Sequence, residues 1–170
     1  INLNISEQSV CRIVNNTGPR DIFIPTNTAG EWESFRNNHL DDITLSNCIV
    51  YINISNNITN YNLSNKSISS GWEEGFDLVV IINNGVFVSS TSSSIPAFQT
   101  GSFPTGTNIT LINNGNIIGA GGDGATSIYT SASSGYYVPG TPGSGGTAIL
   151  AQSNISIINN GLIGGGGGGG

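Results

Sequence analysis

Glycine is distributed very unevenly along this chain, and its distribution limits what the second half can fold into. Of the 25 glycines, 23 fall at or after Gly71, and glycine-rich runs occupy residues 119–124 and 164–170. Such runs are usually flexible linkers, because glycine loses the most conformational entropy on ordering. The alternative is an extended left-handed helix with three residues per turn, since only glycine lets such helices pack closely. Both runs follow the same motif in the same register, which favours packed helices; seven residues would span about 22 Å.

A short repeat precedes both glycine-rich runs. Its three copies each combine a β-branched run, Asn-Asn-Gly and one or two further apolar residues, and they occupy residues 80–86, 111–117 and 157–163. Asn-Gly is a strong signal for a tight turn, because both residues tolerate positive φ. The repeat therefore predicts a strand, a tight turn and a short strand, three times over.

The first seventy residues have a different composition, with most of the charges and few glycines. Apolar and polar residues alternate at the start of the chain and again between Ile43 and Leu63, as in half-buried strands. Only residues 31–40 suggest a helical turn or structured loop. We predict an all-β protein with a short-strand β module at 1–70, followed at 71–170 by strand-turn repeats with packed polyglycine-II helices.

Charge and chain ends narrow the class of protein further. Only 8% of the residues are charged, and four Lys and Arg face ten Asp and Glu, for a net charge of −6. This excludes an electrostatic nucleic-acid binder and a polybasic membrane-surface protein, since both need clustered cations. The two cysteines, Cys11 and Cys48, permit one disulfide at most, and two free buried thiols are the favoured interpretation. The chain begins at Ile1 without Met and stops within a glycine run, so we expect a longer protein whose glycine-rich module continues.

The sequence offers few groups for catalysis or metal binding. A glycan-cleaving enzyme needs two carboxylates facing one sugar. The candidates all precede the glycine-rich runs: Glu31, Glu33, Asp41, Asp42, Glu73, Glu74 and Asp77. Neighbouring carboxylates in turns are usually a charged surface, and the single His39 beside Asp41 is more typical of an isolated surface histidine than of a metal ligand. We therefore expect no enzymatic activity, no metal and no cofactor.

From residue 71 onward, an ordered set of motifs resembles a known family. Gly71-Trp72 is followed by the first Asn-Asn-Gly copy and then by Pro-Ala-Phe-Gln-Thr-Gly-Ser-Phe-Pro (96–104), Thr-Leu-Ile-Asn-Asn-Gly (110–115), Ile-Gly-Ala-Gly-Gly (118–122), Gly-Gly-Thr-Ala-Ile (145–149) and the terminal glycines. This order is similar to the C-terminal region of tail-tip host-specificity (attachment) proteins of long-tailed bacteriophages. It is also similar to the distal long-tail-fibre adhesins of T-even-type phages.

The resemblance implies a fold and a function. In such adhesins, stacked polyglycine helices hold variable loops that meet an outer-membrane protein or surface glycan of the bacterial host. The protein would then lie in the virion, at the tail tip or tail fibre, either as a homotrimer or attached to a trimeric tail fibre. It would have no nucleic-acid partner. On this chain the loops between the motifs are residues 89–107 and 126–144.

Aromatic residues in those two loops are the candidate receptor contacts. Tyrosines among Ser, Thr and Gly are typical of antibody paratopes, where rigid aromatic area lies beside adaptable hydrogen-bonding groups. For the two phenylalanines a second interpretation stays open, in which the rings cover the sheet or the glycine stack. The predicted receptor-binding residues are Tyr129, Tyr136, Tyr137, Pro139, Phe98 and Phe103.

Two other functions are compatible with parts of the sequence. A tailspike glycanase would use the early carboxylates, and it would release reducing sugar from host polysaccharide. A structural or ice-binding polyglycine protein would also use packed glycine helices as a flat, rigid face. A regular array of Thr would favour ice binding, and the sequence has none.

Overall fold

Short β-branched runs, separated by Asn- and Gly-rich turns, form fifteen strands in the described part of the chain. The computed structural model describes residues 7–15, 18–25, 44–130 and 136–170. In chain order the elements are β1 (Glu7–Asn15), β2 (Gly18–Pro25), β3 (Thr44–Ile54), β4 (Ile58–Thr59), β5 (Tyr61–Asn62), α1 (Leu63–Ser69), β6 (Asp77–Ile82), β7 (Phe87–Ser89), β8 (Phe98–Gln99), β9 (Ile109–Asn113), β10 (Asn116–Ile118), β11 (Ile128–Thr130), β12 (Tyr136–Val138), β13 (Ile149–Leu150), β14 (Ile155–Asn159) and β15 (Leu162–Gly164). The all-β prediction is confirmed, with one short helix among these residues.

The strands form the coils of a three-sided parallel β-solenoid. The first sheet has the order β14-β9-β6-β3-β1-β2, the second β15-β10-β7-β4 and the third β13-β8-β5. Strands from successive coils pair in parallel in all three sheets, whereas β1 and β2 join the first sheet by antiparallel pairing. Coils one to three each supply one strand to every sheet, and β14 and β15 form the fourth coil. Residues at equivalent positions therefore lie in columns across the coils.

Apolar columns fill the interior of the solenoid. In the first sheet, Ile52, Val80 and Leu111 pair in register, and all are buried. In the third sheet, the rings of Tyr61 and Phe98 stack with centroids 5.4 Å apart. Along each strand, residues that point into the core alternate with residues that point outward, so β6 and β9 bury every second residue. This alternation is the period-two pattern of a strand with one face in the core.

The Asn-Asn-Gly motifs lie at the corner between the first and second sheets. Each motif joins two strands, as the sequence predicts, but the two strands belong to different sheets and do not pair as a hairpin. The second and third copies are in register, with Asn113 opposite Asn159. The first copy is displaced, since Ile82 lies opposite Asn113. Its turn to β7 is longer, and Gly85 adopts the positive φ of 77° that the turn motif predicts.

The first sheet continues across the predicted module boundary. Strand β3, from the first predicted module, pairs with β6, from the second, over six residue pairs from Ile49–Asp77 to Ile54–Ile82. Helix α1 lies between them and begins at the N-cap Asn62, whose side chain accepts a hydrogen bond from Asn65 N. The predicted helical turn at 31–40 lies outside the described residues. No helix in the described ranges is long and apolar enough to cross a membrane.

Three glycine-rich segments run beyond the coils and hydrogen bond to one another. We name them the first (119–125), second (140–146) and third (164–170) glycine segments. The first and third are parallel, because Gly119, Gly122 and Ala125 donate to Gly164, Gly167 and Gly170. The bonds recur at every third residue, which is the repeat of a helix with three residues per turn. The glycine-rich runs are thus packed against each other.

Candidate functional site

One corner of the solenoid grows from coil to coil. This corner joins the second sheet to the third. In the first coil it consists of Asn60 alone, in the second it is the loop 90–97, and in the third it is the long excursion 119–148. The excursion contains the first two glycine segments and the hairpin β11–β12, and the third glycine segment leaves the fourth coil beside it. We call this projection the glycine arm.

Backbone hydrogen bonds close the three glycine segments into a ring of contacts. In addition to the bonds from the first segment to the third, Gly143 and Gly146 of the second donate to Asp123 and Ala120 of the first. Gly166 and Gly169 of the third donate to Gly146 and Gly143 of the second, at 2.8 and 2.9 Å. The second segment is antiparallel to the other two. Each segment therefore donates to one neighbour and accepts from the other.

The inward glycine positions have no room for a side chain. A Cβ on Gly119 or Gly122 would overlap backbone atoms of the second segment, and a Cβ on Gly166 or Gly169 would overlap those of the first. Outward positions such as Gly167 would meet nothing within 4 Å. Close packing thus requires glycine at positions three residues apart in the first and third segments, and in the second segment also at Gly145, where a Cβ would overlap backbone atoms of Gly166. The interior of the arm is made of backbone atoms alone.

The hairpin β11–β12 forms the end of the arm farthest from the coils. Its register pairs Tyr129 with Tyr137 and Thr130 with Tyr136. At its neck, a Cβ on Gly140 would overlap backbone atoms of Thr126, so the two chain segments lie in direct contact. Residues 123–127 and 138–139 on either side are exposed, including Pro139. At about 3.1 Å per residue, the seven-residue first segment places this hairpin about 22 Å from the coils.

The two phenylalanines lie elsewhere. Phe98 belongs to β8 and is fully buried against Tyr61, so its ring is part of the core and is not available to a partner. Phe103 is half-buried and meets Trp72 edge to face at 5.0 Å, while its backbone N–H donates to Ser153 Oγ. For Phe98 the second interpretation, in which the ring covers the sheet, therefore fits. The predicted loop 89–107 is in fact two loops at different corners, separated by β8.

Three of the candidate carboxylates, Glu73, Glu74 and Asp77, lie in the described part of the chain. Glu73 and Glu74 are exposed in a turn, whereas Asp77 accepts hydrogen bonds from the backbone and side-chain amides of Asn108 at 3.0 Å. Asp77 thereby links the start of β6 to the start of β9. Among described residues, no group of three His, Cys, Asp or Glu could hold a metal ion. The earlier candidates Glu31, Glu33, His39, Asp41 and Asp42 lie outside the described residues.

The second glycine segment was missed by the sequence prediction, which placed residues 140–144 in the loop 126–144 and Gly145 and Gly146 in the following motif. Only four of its seven residues are glycine, and Thr, Pro and Ser fill the other positions. The signal that reveals it is the spacing, because Gly140, Gly143 and Gly146 recur at every third residue. That period matches the turn of the helix, and it leaves glycine wherever the helix faces a neighbour.

Comparison with known proteins identifies the family. No curated protein and no solved structure gives a significant match to the chain. The model of the family described as "Phage tail fibre adhesin Gp38" matches residues 49–170, which include β6–β15, all three glycine segments and the hairpin at the end of the arm. This agrees with the resemblance drawn from the glycine-rich motifs, and it covers well over half of the sequence. The chain therefore belongs to the phage tail fibre adhesin Gp38 family, and its place is in the virion tail fibre.

Proposed function

We propose that this chain attaches the virion to its host through the hairpin at the end of the glycine arm. The partner is an outer-membrane protein or surface glycan of the bacterium. The residues that carry the contact are Tyr129, Tyr136, Tyr137 and Pro139. The single observation behind the proposal is where these residues lie: they form or flank the hairpin that the arm holds away from the coils.

The arm suits recognition because its shape does not depend on the hairpin sequence. Its segments are joined by backbone hydrogen bonds and by glycine contacts, so the hairpin is presented from a preorganised base. Preorganisation lowers the entropy that a binding loop loses when it meets its partner. Asp123 is the one acid or base beyond Asp77, so the arm carries little charge. Affinity then rests on a few aromatic and hydrogen-bonding anchors.

We further propose that attachment is non-covalent and breaks no bond in the receptor. Family membership supports an adhesive role, and of the described candidate carboxylates Glu73 and Glu74 are exposed in a turn and Asp77 is held by Asn108. In this proposal Phe103, which packs against Trp72, contributes less to receptor binding than the tyrosines do. Several copies on one virion, as a homotrimer or on a trimeric fibre, would add avidity.

The experiment replaces Tyr136 and Tyr137 together by Ala and measures binding of the purified chain to host cells. We expect binding to fall at least tenfold, because a single aromatic anchor commonly contributes about 2 kcal/mol, which corresponds to about thirtyfold in affinity. The control is Phe87→Ala, which removes a ring that is 45% exposed on β7. It should leave binding unchanged.

Two further measurements accompany the binding assay. Circular dichroism of the tyrosine variant should match the parent chain, which would show that the loss of binding is not a loss of fold. Incubation with host polysaccharide should release no reducing sugar. Undiminished binding by the tyrosine variant would refute the proposed contact, and sugar release would refute the non-enzymatic role.

A further inference from the structure

The loop at the growing corner of the second coil contacts both roots of the glycine arm. We call residues 90–97 the serine loop. At its start, Ser90 N donates to the carbonyl of Ile118, the last residue before the first glycine segment, at 3.1 Å. At its end, Ala97 N donates to the carbonyl of Thr147, which follows the second glycine segment, also at 3.1 Å. The loop thus joins the two points where the arm leaves and re-enters the coils.

The middle of the serine loop also lies against the arm. A Cβ on Gly146 would come within 2.9 Å of Ser93 Cα, so the loop and the second glycine segment are in close contact. Within the loop, the Ser90 hydroxyl lies 2.6 and 2.5 Å from the carbonyl oxygens of Ser92 and Ile95 and shares its one proton between them, and it accepts a hydrogen bond from Ser92 N at 3.2 Å. These bonds hold the loop in a compact turn.

The first coil holds the serine loop at two points. At the end of the loop, Tyr61 N donates to the carbonyl of Ala97 at 2.8 Å. At its start, the contact is made by the side chain of Asn60. Its Nδ2 donates to Thr91 Oγ1 at 2.7 Å, and its Oδ1 accepts from Thr91 N at 3.0 Å. Asn60 is also the one described non-glycine residue with a positive φ, 53°. Such a conformation is unfavourable for a residue with a side chain, although Asn tolerates it better than most. A strained corner residue that binds the next coil at two atoms indicates a positional role.

We infer that Asn60 is a positioning residue, which fixes the serine loop and through it the direction of the glycine arm. The functional part of this inference rests on the proposed role of the hairpin. Because the hairpin lies about 22 Å from the coils, a rotation of about 10° at the root moves it by about 4 Å. That displacement exceeds the range over which a hydrogen bond to a receptor is kept. A short amide side chain in the first coil therefore controls a contact made by the third.

The test uses Asn60→Gly, because glycine accepts the positive φ and the change removes only the side-chain bonds. The readout is hydrogen exchange of the arm amides Gly119, Gly122, Gly143 and Gly146, followed by mass spectrometry. We expect these amides to exchange about thirtyfold faster, since the two side-chain bonds to Thr91 are lost and each contributes about 1 kcal/mol. Dissociation from host cells should accelerate by a similar factor. Asn60→Asp keeps the acceptor for Thr91 N and should restore both properties.

The matched control is Asn57→Ala at the corner between the first and second sheets. Asn57 Oδ1 accepts from Phe87 N at 2.9 Å, so its loss also removes a side-chain bond between the first two coils. It should lower the melting temperature without changing exchange in the arm. The inference is overturned if Asn60→Gly leaves arm exchange unchanged, or if Asn57→Ala accelerates it equally. Exchange needs no receptor, so failure of the wild-type chain to bind cells would refute the proposed function and leave this test valid.

Discussion

Two neighbouring glycines of the third glycine segment give the sharpest test of the arm. Gly166 faces the other two segments, and a Cβ there would overlap the carbonyl oxygen of Ala120 and come within 2.9 Å of Gly146 N. Gly167 is the next residue, and a Cβ there would meet nothing within 4 Å. Neither has a positive φ. Alanine is therefore acceptable to the backbone at both positions, and only packing distinguishes Gly166→Ala from Gly167→Ala.

The expected magnitudes follow from the hydrogen bonds. To accept Gly166→Ala, the third segment must move away from the first by more than about 1 Å, which breaks bonds near the substitution. The bonds at risk are Gly166 N to Gly146 O and Gly122 N to Gly167 O, both 2.8 Å, and Gly119 N to Gly164 O, 2.9 Å. At about 1 kcal/mol each, the loss is about 2–3 kcal/mol. Gly167→Ala should instead stabilise by about 0.4–1 kcal/mol, because alanine restricts the unfolded chain.

Hydrogen exchange over residues 119–125 and 140–146 is the suitable assay, since the arm can open without unfolding the coils. Gly166→Ala should accelerate exchange there by roughly 30- to 150-fold, whereas Gly167→Ala should leave it unchanged or slow it. Melting of the coils, followed by circular dichroism, serves as the internal control and should respond little to either change. Equal effects of the two substitutions would refute the packing described for the arm.

Two further substitutions address the coils. Asn113→Ala should destabilise the chain by about 1–3 kcal/mol, because Asn113 is fully buried and its Oδ1 accepts a hydrogen bond from Gly115 N. Asn114→Ala should destabilise it less, since Asn114 is only half-buried, and thermal unfolding of the two variants tests this difference. Phe98→Ala should lower the free energy of unfolding by about 3–5 kcal/mol, because it leaves a cavity in the core, and Phe103→Ala should lower it clearly less. Chemical denaturation measures both values, and a smaller loss for Phe98→Ala than for Phe103→Ala would contradict the burial of Phe98.

Local sequence signals predicted the strands and the close packing of the glycine runs. β-Branched runs mark β6 and β9, and the repeated Asn-Asn-Gly marks the corner that follows them. What these signals did not contain is the pairing partner of each strand. A turn after Asn113 is compatible with a hairpin or with a solenoid corner. The corner is favoured only because the apolar residues of β9 pack in register with apolar residues of the other coils. This packing joins residues about thirty or more positions apart.

The candidate site was predicted only in part, for a similar reason. The loop with the three tyrosines was found from composition, and the structure places its residues at the end of the arm. Phe98 was proposed from the same kind of evidence, but it belongs to a two-residue strand whose burial depends on Tyr61 in another coil. A strand of two residues is too short to show alternation. The second glycine segment escaped because its period of three was masked by Thr, Pro and Ser.

Under the proposed function, the separation between coils and arm would let one scaffold carry different binding surfaces. The growing corner contains one residue in the first coil, eight in the second and thirty in the third, while the strands on either side keep their register. The solenoid therefore accepts insertions at this corner without repacking its core. Within the arm, the inward contacts are made by backbone atoms, so no side-chain complementarity has to be preserved when the hairpin sequence changes. Under the proposed function, substitutions in the hairpin would then change the contact with the host while the packing that presents the hairpin stays constant.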